Sequence, residues 1–283
     1  MKLWKLLKYF YSLFSVPERR SYDLNVLNTI ISLLGLVGTV IAALGFYVNY
    51  RQGQEKLISD LFSQAVEQIG NQSNQSVRIG GIYSLERIAE ESPSTALTIM
   101  QVLISYVHSH SPVVGEQNSK DYKQMKKIAI DVQAVLTMFG QGKIALQTSH
   151  SLDLSNINLK KVNLAKANFE NTNFQGVNLE YANLQNINLK NADLLGADLV
   201  GANLIGADLV GANLQKANLT GANLQDANLK NVNLIGANLD GAYLVKIKNF
   251  VPEQIKEAIN WQNAYYEPKI QKELGLIQEI PDL

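Results

Sequence analysis

Residues 192–214 read ADLLGADLVGANLIGADLVGANL, and this stretch decides the fold of the region around it. A leucine returns at every fifth position. Followed outward, Leu or Phe recurs without a miss from Leu154 to Leu244, nineteen positions in all. Two residues before each stands a small or aliphatic residue, most often alanine, as in Ala182, Ala192, Ala197, Ala202 and Ala207. Asn or Asp lies between them in every unit but the last, where Tyr243 stands. An α-helix cannot carry this pattern. Five residues advance it ~140° beyond a full turn and spread the leucines over every side. A fixed short period is instead the signature of a repeat architecture.

The Ala-(Asn/Asp)-Leu-x-x pattern resembles that of the pentapeptide-repeat family, over about a third of the chain. The resemblance implies a right-handed quadrilateral β-helix with four pentads to a coil, Leu and the preceding small residue pointing inward. A narrow interior with room for one large and one small side chain per face agrees with it. Thirteen of the eighteen complete units place Gly or Asn second after the Leu, the residues that accept positive φ in tight turns. Nineteen pentads make roughly five coils, a column about 23 Å tall at ~4.8 Å per coil.

With four pentads to a coil, residues twenty apart stack. Asp193 then lies between Asn173 and Asn213, Asp198 between Asn178 and Asn218, and Asp208 between Asn188 and Asn228. No Asp in that row meets another. Shared amide ladders are expected rather than an acid–base pair. The position just after each Leu is mostly polar, as at Lys160, Glu180, Gln185 and Lys190. Over one coil it becomes Leu195, Val200, Ile205 and Val210. These four form a candidate interaction belt if exposed and contiguous; the alternative is the preference of Val and Ile for sheet surfaces.

The N-terminal part has a different character. No charged residue occurs between Asp23 and Arg51, and residues 24–50 are long enough to cross a hydrocarbon core as a helix of ~20 residues. A cleaved signal peptide is the rival, but its apolar region is usually ~7–15 residues. Residues 1–23 mix lysines with Leu3, Trp4, Phe10 and Phe14. That suits an interfacial flank or an ordinary basic flank with anchoring aromatics. Lys2, Lys5, Lys8, Arg19 and Arg20 precede the span while Arg51 and Lys56 follow it. The bias predicts a single-pass membrane protein with a cytoplasmic N-terminus and the repeats on the far side. Gly38 and Ala42 are a small-xxx-small pair, open to self-association into a homo-oligomer or simply typical of membrane helices.

Residues 51–145 read as a small α-helical domain. Leu57, Ile58, Leu61, Phe62, Ala65, Val66 and Ile69 share one helix face over 54–70. Further helices are expected over 76–91, from Pro93 to Ser109 with Ser92 as N-cap, and from about Met125 to Phe139. His108 and His110 diverge on a helix and make no metal pair. Arg78, Glu86 and Arg87 offer either a charged pocket or an ion pair between adjacent helices. Gly80-Gly81 follows no strand, so it is no phosphate loop, and close helix packing is its expected use. The run RIGGIYSLERIAEESP, with VLISYVHSHSP and DVQAVLTMFG after it, resembles the helical segment of bacterial membrane-anchored pentapeptide-repeat proteins.

After Lys248 the pentads stop. A C-terminal helical cap over 250–283 is expected, with a helix from Pro252 to about Tyr266 and then a shorter one. Ile255, Ala258, Ile259, Trp261 and Tyr265 would cover the open end of the column. Trp261, Tyr266 and Leu274-Gly275-Leu276 also resemble the tails of cyanobacterial-type pentapeptide-repeat proteins.

Together these regions make an α+β chain: transmembrane helix 24–50, helical domain 51–145, β-helix 152–247 and helical cap. Charge and composition narrow its chemistry. Lys+Arg and Asp+Glu are 25 each, so no global field steers the chain to nucleic acid. The absence of cysteine removes disulfides and thiolate chemistry. No P-loop or GxSxG elbow is present. The expectation is a non-catalytic scaffold or protein-interaction module without cofactor or metal, its partners the bilayer and an unidentified protein. The rival is a DNA-mimicking regulator of a nucleic-acid enzyme, a role some family members play with an acidic column. Eight acids against seven lysines from Leu152 to Ile247 do not supply that column.

Overall fold

The computed structural model describes residues 24–113, 129–142 and 151–277, with 24–28 and 30 by backbone alone. The expected interfacial flank and the start of a helix at Met125 lie outside the described residues. The chain divides into two compact units, Met1–Leu57 and Ile58–Leu283.

Helix α1 spans Leu24–Ile69. In the first unit its apolar side chains, among them Leu36, Ile41 and Phe46, are exposed. It is long and apolar enough to cross a membrane. The separate helix expected from Gln54 does not exist, because α1 runs on through Tyr50 and Gly53. Neither proline nor a capping residue interrupts it there, and one glycine costs only ~1 kcal/mol in a helix.

The second unit begins with the amphipathic end of α1. Helix α2 spans Gln75–Glu91, and Asn74 caps it by accepting the Ser76 and Val77 amides. A 3-10 turn at Pro93–Thr95 leads into α3, Ala96–His110. The Ser92 side chain does not cap that turn: its hydroxyl meets Ser94 Oγ at 3.2 Å, and its carbonyl accepts the Thr95 amide instead. Helix α4 spans Ile130–Gly140. Its first residue, Ile130, follows an extended Ala129 (ψ 138°). Of the glycine pair only Gly81 serves close packing. A Cβ there would lie 2.8 Å from the Ala65 carbonyl oxygen, whereas Gly80 faces open space.

From Leu152 the chain winds into coils of twenty residues. Parallel bridges join Asn158 to Asn178, Asn178 to Asp198, Asp198 to Asn218, and so around all faces. On each face the Leu amide donates upward and the Asn or Asp amide downward. Leu159 N donates to Asn178 O (2.7 Å) and Asn178 N to Ile157 O (2.9 Å). The leucines and alanines fill the interior, with Phe169 and Phe174 edge to face at 5.5 Å.

Every corner from Asn156 to Lys246 has positive φ, Gly or not. Lys161 (63°), Lys166 (64°), Tyr181 (54°) and Lys216 (58°) occupy it without the tolerance of glycine, asparagine or aspartate. The coil imposes the left-handed turn on them against a steric cost of about 1–2 kcal/mol each. The Asn/Asp row supplies the turn's other half. Asn158 Oδ1 accepts Lys160 N (3.1 Å), Asp193 Oδ1 accepts Leu195 N (3.1 Å), and the pattern repeats up the column.

The helix expected from Pro252 to Tyr266 is broken into pieces. Helix α5 is only Pro252–Lys256 and a 3-10 turn covers Trp261–Asn263, while the shorter helix expected after it is α6, Pro268–Leu274. Between them Tyr265–Tyr266 (β2) pairs in parallel with Tyr243–Leu244 (β1), and Ile259 bridges to Asn238. Unmet backbone groups on the last coil draw this tail back into the ladder. Asn260 turns the chain with φ 56°.

Candidate functional site

The four belt residues Leu195, Val200, Ile205 and Val210 stand one on each face of the column, and each is half-buried. The positions stacked twenty before and after them are polar, Gln175, Glu180, Gln185 and Lys190 on one side and Gln215, Thr220, Gln225 and Lys230 on the other. They are therefore not one contiguous apolar patch. Within the array the large apolar residues that are well exposed lie elsewhere: Tyr181 (57%), Ile235 (48%) and Tyr243 (46%).

The row after each Leu makes contacts that a stacking by twenty does not reveal. Its side chains lean toward the Asn/Asp row of the next coil, eighteen residues on. Gln175 Nε2 donates to Asp193 Oδ2 at 2.5 Å, Lys190 Nζ lies 3.1 Å from Asp208 Oδ2, and Asn238 Nδ2 donates to Thr220 Oγ1 at 3.0 Å. By the same spacing Glu180 reaches Asp198, while Lys160 pairs with Glu180 from the coil below. Burial, with the neighbouring Glu180 carboxyl adding to it, raises the Asp198 pKa; the Val200 amide and Lys160 oppose the rise. Two carboxyls thus do meet on the column. The spacing that brings them together is eighteen, from Glu180 to Asp198.

The amide ladders expected from stacking are present. Asn183 Nδ2 donates to Asn163 Oδ1 (3.0 Å), Asn188 to Asn168 (2.9 Å) and Asn213 to Asp193 (2.9 Å). At the C-terminal end one ladder passes into a stack of two tyrosines, Tyr243 and Tyr265, with ring centroids 4.7 Å apart.

Around the helices, Arg78 and Arg87 go to different partners. Arg87 pairs with Glu91 along its own helix on the surface, at 3.8 Å. Arg78 instead reaches Asp131 on α4, which the sequence reading did not single out. Arg78 Nε donates to Asp131 Oδ2 (2.5 Å), Tyr106 Oη donates to the same oxygen (2.8 Å), and the Val132 amide holds Oδ1 (3.0 Å). Asp131 is fully buried. Burial alone would raise its pKa, but the bonds from Tyr106, Arg78 and Val132 outweigh it and hold it below the usual value. Burial and the Asp131 bond push the Tyr106 phenol up. Here an ion pair between helices is what Arg78 makes. His108 and His110 part as expected: His108 Nε2 meets the Asp153 carbonyl at 3.2 Å, and His110 stacks on Tyr106.

The predicted end-covering residues divide. Ile255 and Ala258 are buried and Trp261 packs against the core, but Ile259 (52%) and Tyr265 (56%) are exposed. Those two contribute their backbones rather than their side chains: Ile259 N donates to Ala237 O and Tyr265 N to Ala242 O, both at 2.8 Å. Tyr266 is the inward-facing tyrosine, its hydroxyl donating to Trp261 O at 2.7 Å.

Coils of twenty residues built from inward Leu and Ala and outward Asn or Asp define a pentapeptide-repeat solenoid. The family model for pentapeptide repeats matches residues 153–191, 182–221 and 212–247, in eight copies. A pentapeptide repeat protein from Nostoc PCC 7120 is 32% identical over 39% of this chain and 84% of its own (TM-score 0.31). One from the thylakoid lumen of Arabidopsis thaliana is 35% identical over 32% of this chain and 66% of its own (TM-score 0.27). HetL of Nostoc sp. strain PCC 7120, involved in heterocyst differentiation regulation, is 30% identical over 41% of this chain and 63% of its own (TM-score 0.18). The chain thus spans a little under two thirds of the length of the last two. No curated protein sequence matches it significantly. The chain belongs to the pentapeptide repeat family.

Proposed function

We propose that this protein is a non-catalytic scaffold in which a membrane helix tethers a right-handed quadrilateral β-helix for binding another protein. The observation that carries this reading is where the polar groups of the column go. The Asn/Asp row spends its oxygens on the turn amides and on neighbouring coils, so these groups serve rigidity rather than turnover. A rigid solenoid presents fixed side-chain rows to a partner. The exposed apolar stretch of α1 supports the tether. The basic excess before it supports a cytoplasmic N-terminus with the column across the membrane. Ile255, Ala258 and Trp261 support a capping role for the tail.

Within this reading the coil carrying Leu195, Val200, Ile205 and Val210 is the proposed contact belt. Half-burial limits each residue's contribution, so a partner would have to span a corner to touch two of them. Proximity labelling from the intact membrane protein identifies the partner, and a label pattern restricted to lipid and bulk proteins would sink the scaffold reading. Val200→Lys with Ile205→Lys is expected to abolish capture of the labelled partner. Unchanged capture removes the belt while leaving the scaffold.

A further inference from the structure

We propose that two glutamine side chains, Gln133 and Gln254, stand in for missing strands at the two ends of the column and keep it from pairing with a second copy of itself. An array of coils ends, at each edge, in unmet amides alternating with unmet carbonyls. In the interior, the Asn183 amide donates to Val162 O (2.9 Å) and the Asn183 carbonyl accepts Leu164 N (2.8 Å). One coil lower, Asn163 has no such strand neighbour among the described residues. Gln133, on α4, supplies both halves: Asn163 N donates to its Oε1 (3.0 Å) and its Nε2 donates to Asn163 O (2.8 Å). A carboxamide carries the same donor and acceptor as a peptide unit, so one side chain replaces one rung. Two neighbouring faces are closed by main chain, Asn158 N donating to Ser111 O (2.7 Å) and Asn168 N to Gly140 O (2.8 Å).

The far end uses the donor half of this arrangement, the Gln254 Oε1 being taken by the Val251 amide. Three of its edge carbonyls accept main-chain amides: Ala227 O from Lys248, Ala237 O from Ile259 and Ala242 O from Tyr265, each at 2.8 Å. The fourth, Val232 O, accepts the side chain of Gln254 (2.6 Å), whose Nε2 also reaches Leu229 O (2.9 Å). At each end, then, one face is held by a side-chain amide where its neighbours are held by backbone. A rotamer change opens such a face, whereas a backbone-closed face opens only if its segment unfolds. The opened rows are complementary, because the lower edge of one coil already pairs its amides and carbonyls with those of the upper edge of the next.

The test uses the full chain in detergent micelles beside wild type. Gln133→Ala and Gln254→Ala are expected to sediment partly as larger, concentration-dependent species that wild type does not form. Amide exchange at Asn163 should quicken about tenfold in Gln133→Ala, as for a lost backbone bond. Gln133→Glu keeps the acceptor and loses the donor, so it should fall between the two, and it carries both readouts if the alanine variant does not fold. Wild-type sedimentation together with quickened exchange overturns the guarding role. Unchanged exchange overturns the surrogate strand itself.

Discussion

In the helical segment a single carboxylate, Asp131, is wholly enclosed and held by three donors drawn from α2, α3 and its own helix. In the column, dozens of backbone and amide bonds repeat at a fixed interval, and none carries the structure alone. The difference follows from how each region covers its core. Four helix segments meet once, so one buried charge network sets their register. Coils meet on four faces again and again, so each Asn or Asp need only hold its own turn and its neighbour. A local lesion should therefore be more damaging among the helices than in the array.

The largest expected effect tests that contrast. Asp131→Ala leaves Arg78 and Tyr106 turned toward an empty position, and breaking such a buried pair costs about 3–5 kcal/mol. Leu204→Ala removes a fully packed leucine from the middle coil at a cost of about 2–5 kcal/mol, depending on how far the coil collapses. Denaturant unfolding followed by fluorescence at the aromatic residues near each site measures both. Helical signal lost while the column still melts as one unit separates the regions; loss of both together joins them.

Acid sharpens the same comparison with opposite signs. The folded pKa of Asp131 lies below the ordinary 3.8, so its contribution is present above that value and lost as pH falls through the depressed one. The folded pKa of Asp198 lies above 3.8, so its contribution is present below that value and lost as pH rises through the raised one. Mild acid should steady the column before stronger acid loosens the helices. Asp198→Asn should flatten the first change and leave the second; a melting profile unchanged by it would refute the Glu180 coupling.

The smallest effect concerns the corners. Lys161→Gly or Lys216→Gly relieves a left-handed residue but adds freedom to the unfolded chain. The net gain is expected to be about 0.5–1 kcal/mol, read as a small rise in the column's melting temperature. The same change at an α2 position such as Arg87 should lower stability, since glycine disfavours helix by ~1 kcal/mol.

Much of the column was legible because its pattern is local and repeated. The five-residue period, the inward Leu and Ala, and the amide stacking at twenty all appear in the coordinates. Glu180 with Asp198 escaped, because side chains lean across coils and contact at eighteen. Asp131 escaped for another reason: nothing in its own helix marks it, and its partners lie 53 and 25 residues away. The tail carries a helix start at Pro252, yet the unmet edge of the last coil draws Ile259 and Tyr265 into extended pairing.

By itself the sequence determined that the repeats must coil, where they begin and stop, and that an apolar helix precedes them. Those properties rest on periodicity and length, which any stretch of chain carries within itself. The tertiary structure alone decided what closes the column and what pins the helices. Gln133, Gln254 and Asp131 are ordinary polar residues until folding brings distant backbone groups and side chains against them. Their roles are pairings, and a pairing exists only once both partners have been placed.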